Sequence, residues 1–203
     1  MTAGGAPQQP ARLAVFLSGS GRTLVNLAEV IGRGELPATI GLVVASRDCQ
    51  GAERAAALGL ETRIIEGDIG AEDLERLLEA SRIDWVVLAG YLRLLPVPER
   101  WRGRVVNIHP ALLPEFGGPG MYGDRVHRAV LDSGAAESGC TVHLCDGEYD
   151  AGPVVLQRSC PVLEGDTVRT LAGRVFELER RAYPEALRVL IGGGAANKAQ
   201  GGS

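Results

Sequence analysis

Leu13-Ala14-Val15-Phe16-Leu17-Ser18-Gly19-Ser20-Gly21-Arg22-Thr23-Leu24 is the stretch whose reading decides the fold. Five apolar residues in an unbroken row suit a strand buried on both faces, as in a parallel sheet, and not the alternation of a strand with one wet face. The row stops at Ser18-Gly19-Ser20-Gly21, and Leu24, Leu27, Ala28 and Ile31 then recur at helical spacing. Strand, glycine turn and helix start together aim free backbone N–H groups and the positive end of a helix at one point, where an anion is stabilised. Position 24 is leucine where a dinucleotide fingerprint has its third glycine, and no Lys-Ser/Thr follows as a triphosphate loop requires. With Arg22 added, the turn Gly19-Ser20-Gly21-Arg22-Thr23 is expected to hold a single phosphate; a plain tight turn is the alternative.

The same pattern repeats downstream. Ile40–Val44 reads as a strand, Gly51–Leu58 as a short helix and Thr62–Ile65 as a weaker strand. A helix follows from about Ala71 to Ser81, then buried strands at Trp85–Ala89 and Val105–Ile108. Strands alternating with helices predict right-handed crossovers and an α/β fold with a doubly wound, mostly parallel sheet. Ligands on such sheets sit beyond the carboxyl ends of the strands, where Gly19–Thr23, Gly90–Leu95 and Asn107–His109 would gather.

After residue 110 the character changes. Asp124–Leu131 reads as a helix with Val126, Ala129 and Val130 inward. Cys140–Leu144 and Pro153–Gln157 read as two strands of an antiparallel extension, joined by a rim loop at Cys145–Gly152. Thr167–Ile191 reads as a long helix capped by Asp166 or Thr167. The polar, glycine-rich ends (residues 1–11 and 192–203) are expected to be disordered, leaving 12–191 as one domain.

The 203 residues are 45% hydrophobic and 23% charged, with a formal charge of −4. That profile belongs to a globular protein and lacks the basic excess of a dedicated nucleic-acid binder. No run of about 18 apolar residues is present to span a membrane, and the first ten residues lack a signal-peptide core. Four cysteines without a Cys-x-x-Cys spacing argue for reduced thiols and against a metal or redox site. The expectation is a cytoplasmic protein with small-molecule substrates and no nucleic-acid or membrane partner, as a monomer or homodimer.

Chemistry concentrates between Asn107 and Asp150. Strand alternation points Asn107 and His109 the same way, and Pro110 keeps the chain extended as it leaves the strand. His127 reads as a surface residue of its helix. His143 reads either as structural or as the floor of a site. Asp150, ahead of Ala151-Gly152-Pro153, would by itself be a turn cap, with Asp146 and Glu148 as a solvated rim.

Taken together, Gly19-Ser20-Gly21, Gly90-Tyr91-Leu92-Arg93-Leu94-Leu95, Asn107-Ile108-His109-Pro110-Ala111-Leu112-Leu113-Pro114, Gly139–His143 and Asp150–Gln157 resemble the folate-dependent formyltransferases. The segment from Arg174 through Glu179 to Tyr183-Pro184 narrows the likeness to the phosphoribosylglycinamide formyltransferase family of purine synthesis. The likeness runs from about Arg12 to Leu190. It implies a formyltransferase fold with a Rossmann-like N-terminal half and 10-formyltetrahydrofolate as co-substrate, with no metal. By the same resemblance Asn107, His109 and Asp150 would be catalytic, while Gly19, Ser20, Gly21, Arg22, Thr23 and Glu179 would hold the ribonucleotide. Arg93, Leu94, Leu95, Asn107, Cys145, Asp146, Gly147, Glu148, Tyr149 and Asp150 would face the folate. The chain departs from the family where Arg22-Thr23 replaces the usual Ser-Asn or Thr-Asn, where Ala111 replaces serine, and in a longer loop at Gly118–Gly123. A formyltetrahydrofolate hydrolase, a sugar-nucleotide formyltransferase and a non-catalytic nucleotide-binding module remain alternatives.

Overall fold

The computed structural model describes residues 9–200, with side chains through residue 193. Seven strands form one sheet: β1 (Ala11–Leu17), β2 (Ala38–Ala45), β3 (Thr62–Ile64), β4 (Trp85–Leu88), β5 (Val105–His109), β6 (Glu137–Leu144) and β7 (Val154–Pro161). Their order is β3-β2-β1-β4-β5-β6-β7. The first five run parallel, whereas β6 and β7 are antiparallel to their neighbours. Helices α1 (Arg22–Gly32), α2 (Gln50–Ala57), α3 (Ala71–Ala80), α4 (Asp124–Asp132) and α5 (Val168–Gln200) complete the chain. The doubly wound, mostly parallel sheet with its antiparallel extension and long last helix is the expected architecture.

The unbroken apolar run of β1 has its explanation in two separate cores. Leu13, Val15 and Leu17 pack with Leu24 and Leu27 of α1 and with Leu171, Val175, Tyr183 and Leu187 of α5. Ala14 and Phe16 pack on the other face with Leu74 and Leu78 of α3 and with Trp101. Both faces of the strand are dry, so no position is left for a polar residue.

The reversal of strand order falls between β1 and β4, the usual place for a ligand crevice in such a sheet. Gly21 opens α1 with φ +70°, and a Cβ there would lie 2.5 Å from the Cα of Gly51. Backbone conformation and the close approach of α2 both demand glycine. The turn is also pinned by Gly51 N–H donating to the Gly19 carbonyl (2.9 Å) and by Arg54 donating to the Ser20 carbonyl (2.7 Å).

Several boundaries differ from the sequence reading. β6 begins at Glu137 and β7 runs on to Pro161, because the ladder continues from Glu137↔Pro161 inward through positions such as Ser138, Arg158 and Ser159. Backbone pairing holds these polar positions, which carry no apolar alternation to reveal them. In α4 the buried face is Val126, His127 and Val130, so His127 is not the surface residue expected. Residues 1–8 of the expected disordered N-terminus and 201–203 of the expected tail lie outside the described residues; Ala11 already opens β1, and α5 extends to Gln200.

Tyr183 of α5 is fully buried, with its hydroxyl 2.9 Å from the carbonyl oxygens of both Leu88 and Val106. It ties α5 to the last residue of β4 and to β5 one residue before Asn107. Tyr183→Phe should lower unfolding free energy by about 1–2 kcal/mol, because two buried carbonyls lose their donor. Urea melts of the two proteins check this.

Candidate active site

A cleft of about 350 Å³ opens at the carboxyl ends of β1, β4 and β5. One end is the glycine turn and the start of α1, where the N–H groups of Arg22, Thr23 and Leu24 have no partner within the helix. Arg22 lays its guanidinium over the Phe176 ring of α5, 3.6 Å from the centroid. Glu179, one turn further along α5, lines the same end. Burial pushes its carboxyl pKa up to about 7, against the opposing pull of Arg22.

At the middle of the cleft the Asp150 carboxylate collects four groups from separate parts of the chain. Its Oδ2 accepts from the Gly118 N–H at 2.9 Å and lies 3.4 Å from His109 Nδ1. Its Oδ1 is 3.4 Å from His143 Nε2 and 3.5 Å from Asn107 Nδ2. Burial raises the Asp150 pKa, but the hydrogen bond with His143, the charge of His109 and the Gly118 N–H outweigh it and hold it below the usual value. It is therefore an anion at neutral pH.

Local backbone explains why a turn residue ends up here. Asp150 itself takes φ +54°, a left-handed conformation that aspartate tolerates better than most residues. At Gly152 a Cβ would overlap the Leu144 carbonyl oxygen, so the turn lies flat against the end of β6. A bulge between Val142 and His143 re-aims the last residues of β6 beside it.

The hydrogen-bond network assigns the protons. With its ring neutral, His143 donates from Nδ1 to the Leu144 carbonyl at 3.0 Å and accepts at Nε2 from Asn107 Nδ2 at 3.1 Å; only the charged ring donates from Nε2 to Asp150. One Asn107 N–H is thus committed, and the other is held only by the long contact to Asp150. His109 Nε2 donates to the Phe116 carbonyl at 2.8 Å, while Nδ1 faces Asp150. Only the protonated ring makes both bonds. Yet Asp150 does not raise the pKa of this imidazole above its ordinary value. Burial has the largest effect and, with repulsion from His143, leaves the His109 pKa lowered, although Asp150 and the Phe116 carbonyl pull it up. A 3% exposed ring loses more hydration than one carboxylate at 3.4 Å returns.

The formyl transferase family model matches residues 11–187, nearly all of the described domain. The chain belongs to the formyl transferase family. It is 38% identical over 195 residues to a chloroplastic phosphoribosylglycinamide formyltransferase of Arabidopsis thaliana, covering 90% of this chain and 67% of the plant protein. It is 35% identical to the trifunctional purine biosynthetic protein adenosine-3 of Homo sapiens, covering 92% of this chain but only 19% of the human one. A glycinamide ribonucleotide transformylase 1 from Symbiobacterium toebii has a similar structure, with TM-score 0.82 and 36% identity over 91% of this chain and 89% of that one.

In this formyl transferase, all but one of the residues expected in the site line the single cleft: Gly19–Thr23, Arg93–Leu95, Asn107, His109, Cys145, Gly147–Asp150 and Glu179. Asp146 is the exception; it is exposed, and its Oδ1 accepts from the Glu148 N–H at 3.1 Å, bracing its own loop. Of the two readings left open for His143, the structure places it on the floor beside Asp150. The Phe116 carbonyl and Gly118 N–H were missed, because backbone groups of a glycine-rich loop carry no side-chain signature. His127 was missed although its place in the Val126–Val130 stripe of a short amphipathic helix marked it for burial. Among the described residues no group of three or more His, Cys, Asp or Glu is arranged to hold a metal, and no helix is long and apolar enough to cross a membrane.

Proposed function

We propose that this chain transfers the formyl group of 10-formyltetrahydrofolate to the primary amine of glycinamide ribonucleotide, in purine biosynthesis. The observation that carries the reading is the Asp150 carboxylate between His109, His143 and Asn107, in a cleft whose far end is a helix N-terminus with Arg22 and Glu179. The names of the plant, human and bacterial relatives agree with it.

The ribose phosphate would rest on the first N–H groups of α1 and on Arg22, with the ribose hydroxyls on Glu179. The folate would take the apolar side formed by Leu94 and Leu95 and the 145–150 loop. The amine attacks the formyl carbon and a tetrahedral oxyanion forms. The loosely held second N–H of Asn107 turns to that oxygen. A negative oxygen beside His109 restores the proton that burial disfavours, so the ring adds positive charge as the transition state develops. Asp150, an anion before the amine attacks, takes the amine proton through water, is neutral while it holds it, and gives it up to the departing folate nitrogen; the C–N bond to folate breaks as the new amide is completed. Holding both substrates side by side supplies much of the remaining acceleration.

The four cysteines are free thiols, which fits a reducing compartment and supports the cytoplasm. The deciding assay follows absorbance of a 10-formyl folate with and without glycinamide ribonucleotide. Folate release only when the amine is present supports transfer; equal release without it makes the protein a hydrolase. Arg22→Ala should raise KM for the ribonucleotide about tenfold, the loss of one charge-assisted contact, and leave KM for the folate unchanged. Steady-state kinetics with each substrate varied in turn test that assignment.

A further inference from the structure

His127 belongs to the wall of the cleft, yet the reaction as derived above does not use it. It sits in the first turn of α4, directly after the glycine-rich rim, and is only 5% exposed. Its Nδ1 is sealed from solvent and has no hydrogen-bond partner. The ring edge left to line the cleft therefore carries Nε2.

The two nitrogens dictate the protonation state. A charged ring would bury an N–H at Nδ1 with no acceptor, an expense of desolvation without return. The neutral ring with its proton on Nε2 leaves only a lone pair at Nδ1 and turns its single donor to the cleft. The charged groups that bear on the ring are Asp124 on its own helix and His109 across the cleft; burial outweighs Asp124, repulsion by His109 acts in the same sense as burial, and the pKa is lowered. Two neighbouring imidazoles thus part company. His109 faces acceptors on both nitrogens and is the one built to carry a proton; His127 is built to stay neutral.

The oxyanion needs donors that the trio does not fully provide. Both ring nitrogens of His109 face protein oxygens, and one Asn107 N–H is taken by His143. A single loosely held N–H remains, where acyl-transfer sites commonly present at least two. We infer that His127 supplies the missing donor: its Nε2–H binds the formyl oxygen as that oxygen becomes negative. The inference rests on the formyl-transfer reading and adds a residue to its chemistry.

Glutamine reproduces the Nε2 donor of histidine and leucine does not. His127→Leu should lower kcat about a hundredfold, the usual cost of one oxyanion donor. Its Tm should be unchanged or higher, because an orphaned buried nitrogen is replaced by carbon. His127→Gln should recover most of the rate. Long-range ¹⁵N–¹H spectra of the wild-type protein should find His127 neutral with its proton on Nε2 from pH 6 to pH 8. Wild-type-like kcat in His127→Leu, loss of rate in His127→Gln equal to that in the leucine variant, or a ring charged or protonated on Nδ1 at pH 7 would each overturn the inference. If leucine prevents folding, the glutamine variant and the spectra still decide. A wild-type protein that transfers no formyl group would instead sink the reading of function, a result the spectra cannot mimic.

Discussion

Asp150→Asn should lower kcat about a thousandfold while both KM values stay within a few-fold of wild type. The carboxylate faces four groups at once: Gly118 N–H, Asn107 Nδ2, His109 Nδ1 and His143 Nε2. An asparagine offers one acceptor oxygen and one N–H₂ in the same space, so at least one neighbour meets a donor where it needs an acceptor. The charge is lost as well. His109 then keeps only the Phe116 carbonyl in its favour, burial is no longer opposed by an anion, and the ring becomes harder still to protonate. The proposed relay of the amine proton also loses its base. None of these groups lies at the end of the cleft proposed for the phosphate, and the isosteric asparagine keeps the shape of the 145–150 loop proposed to face the folate, which is why binding should survive. Steady-state kinetics decide the matter: a kcat near wild type would remove Asp150 from the chemistry.

Glu179→Gln should have opposite effects on stability and on binding. The folded-state pKa of about 7 lies above the unfolded value of about 4.5, so the native protein holds this proton more tightly than the unfolded chain does. Stability is therefore highest, as far as this group is concerned, below pH about 4.5, and is lost as pH rises through about 7. Glutamine removes that loss. At pH 8 the variant should be more stable by about 2 kcal/mol, a figure set below the full shift because the residue keeps some accessible surface, and at pH 4 the two proteins should match. On the proposed binding mode, the ionised carboxylate is the form that would hold the two ribose hydroxyls. KM for the ribonucleotide should accordingly fall as pH rises through 7 in the wild type, beyond the change that phosphate ionisation produces in Glu179→Gln. Urea titrations at pH 4 and pH 8 with KM profiles of both proteins test this; equal stability at both pH values would mean that the carboxyl is not held protonated.

Much of this was readable in the chain. Leu13–Leu17 could only be buried on both sides, and the glycine turn after it pointed to a parallel sheet and to the end where the cleft opens. Asn107 and His109 share a face by alternation, and the structure keeps that relation on β5. What stayed hidden has physical reasons. The polar ends of β6 and β7 are held by backbone bonds that leave no pattern in side chains. The donors and acceptors at Gly118 and Phe116 are backbone atoms, which every residue possesses. The protonation of His109 depends on how deeply the fold encloses it, and enclosure is a property of three dimensions that a neighbouring carboxylate in the motif does not reveal. His127 sat in plain view within the apolar stripe of α4, and only its polarity argued for the surface.

The most direct test of the account follows the carbon itself. With a folate carrying a ¹³C-labelled formyl group and one equivalent of glycinamide ribonucleotide, a single turnover observed by NMR should move the label into the formamide of the ribonucleotide, with no free formate. Label appearing as formate, or remaining on the folate while both substrates are bound, would contradict it.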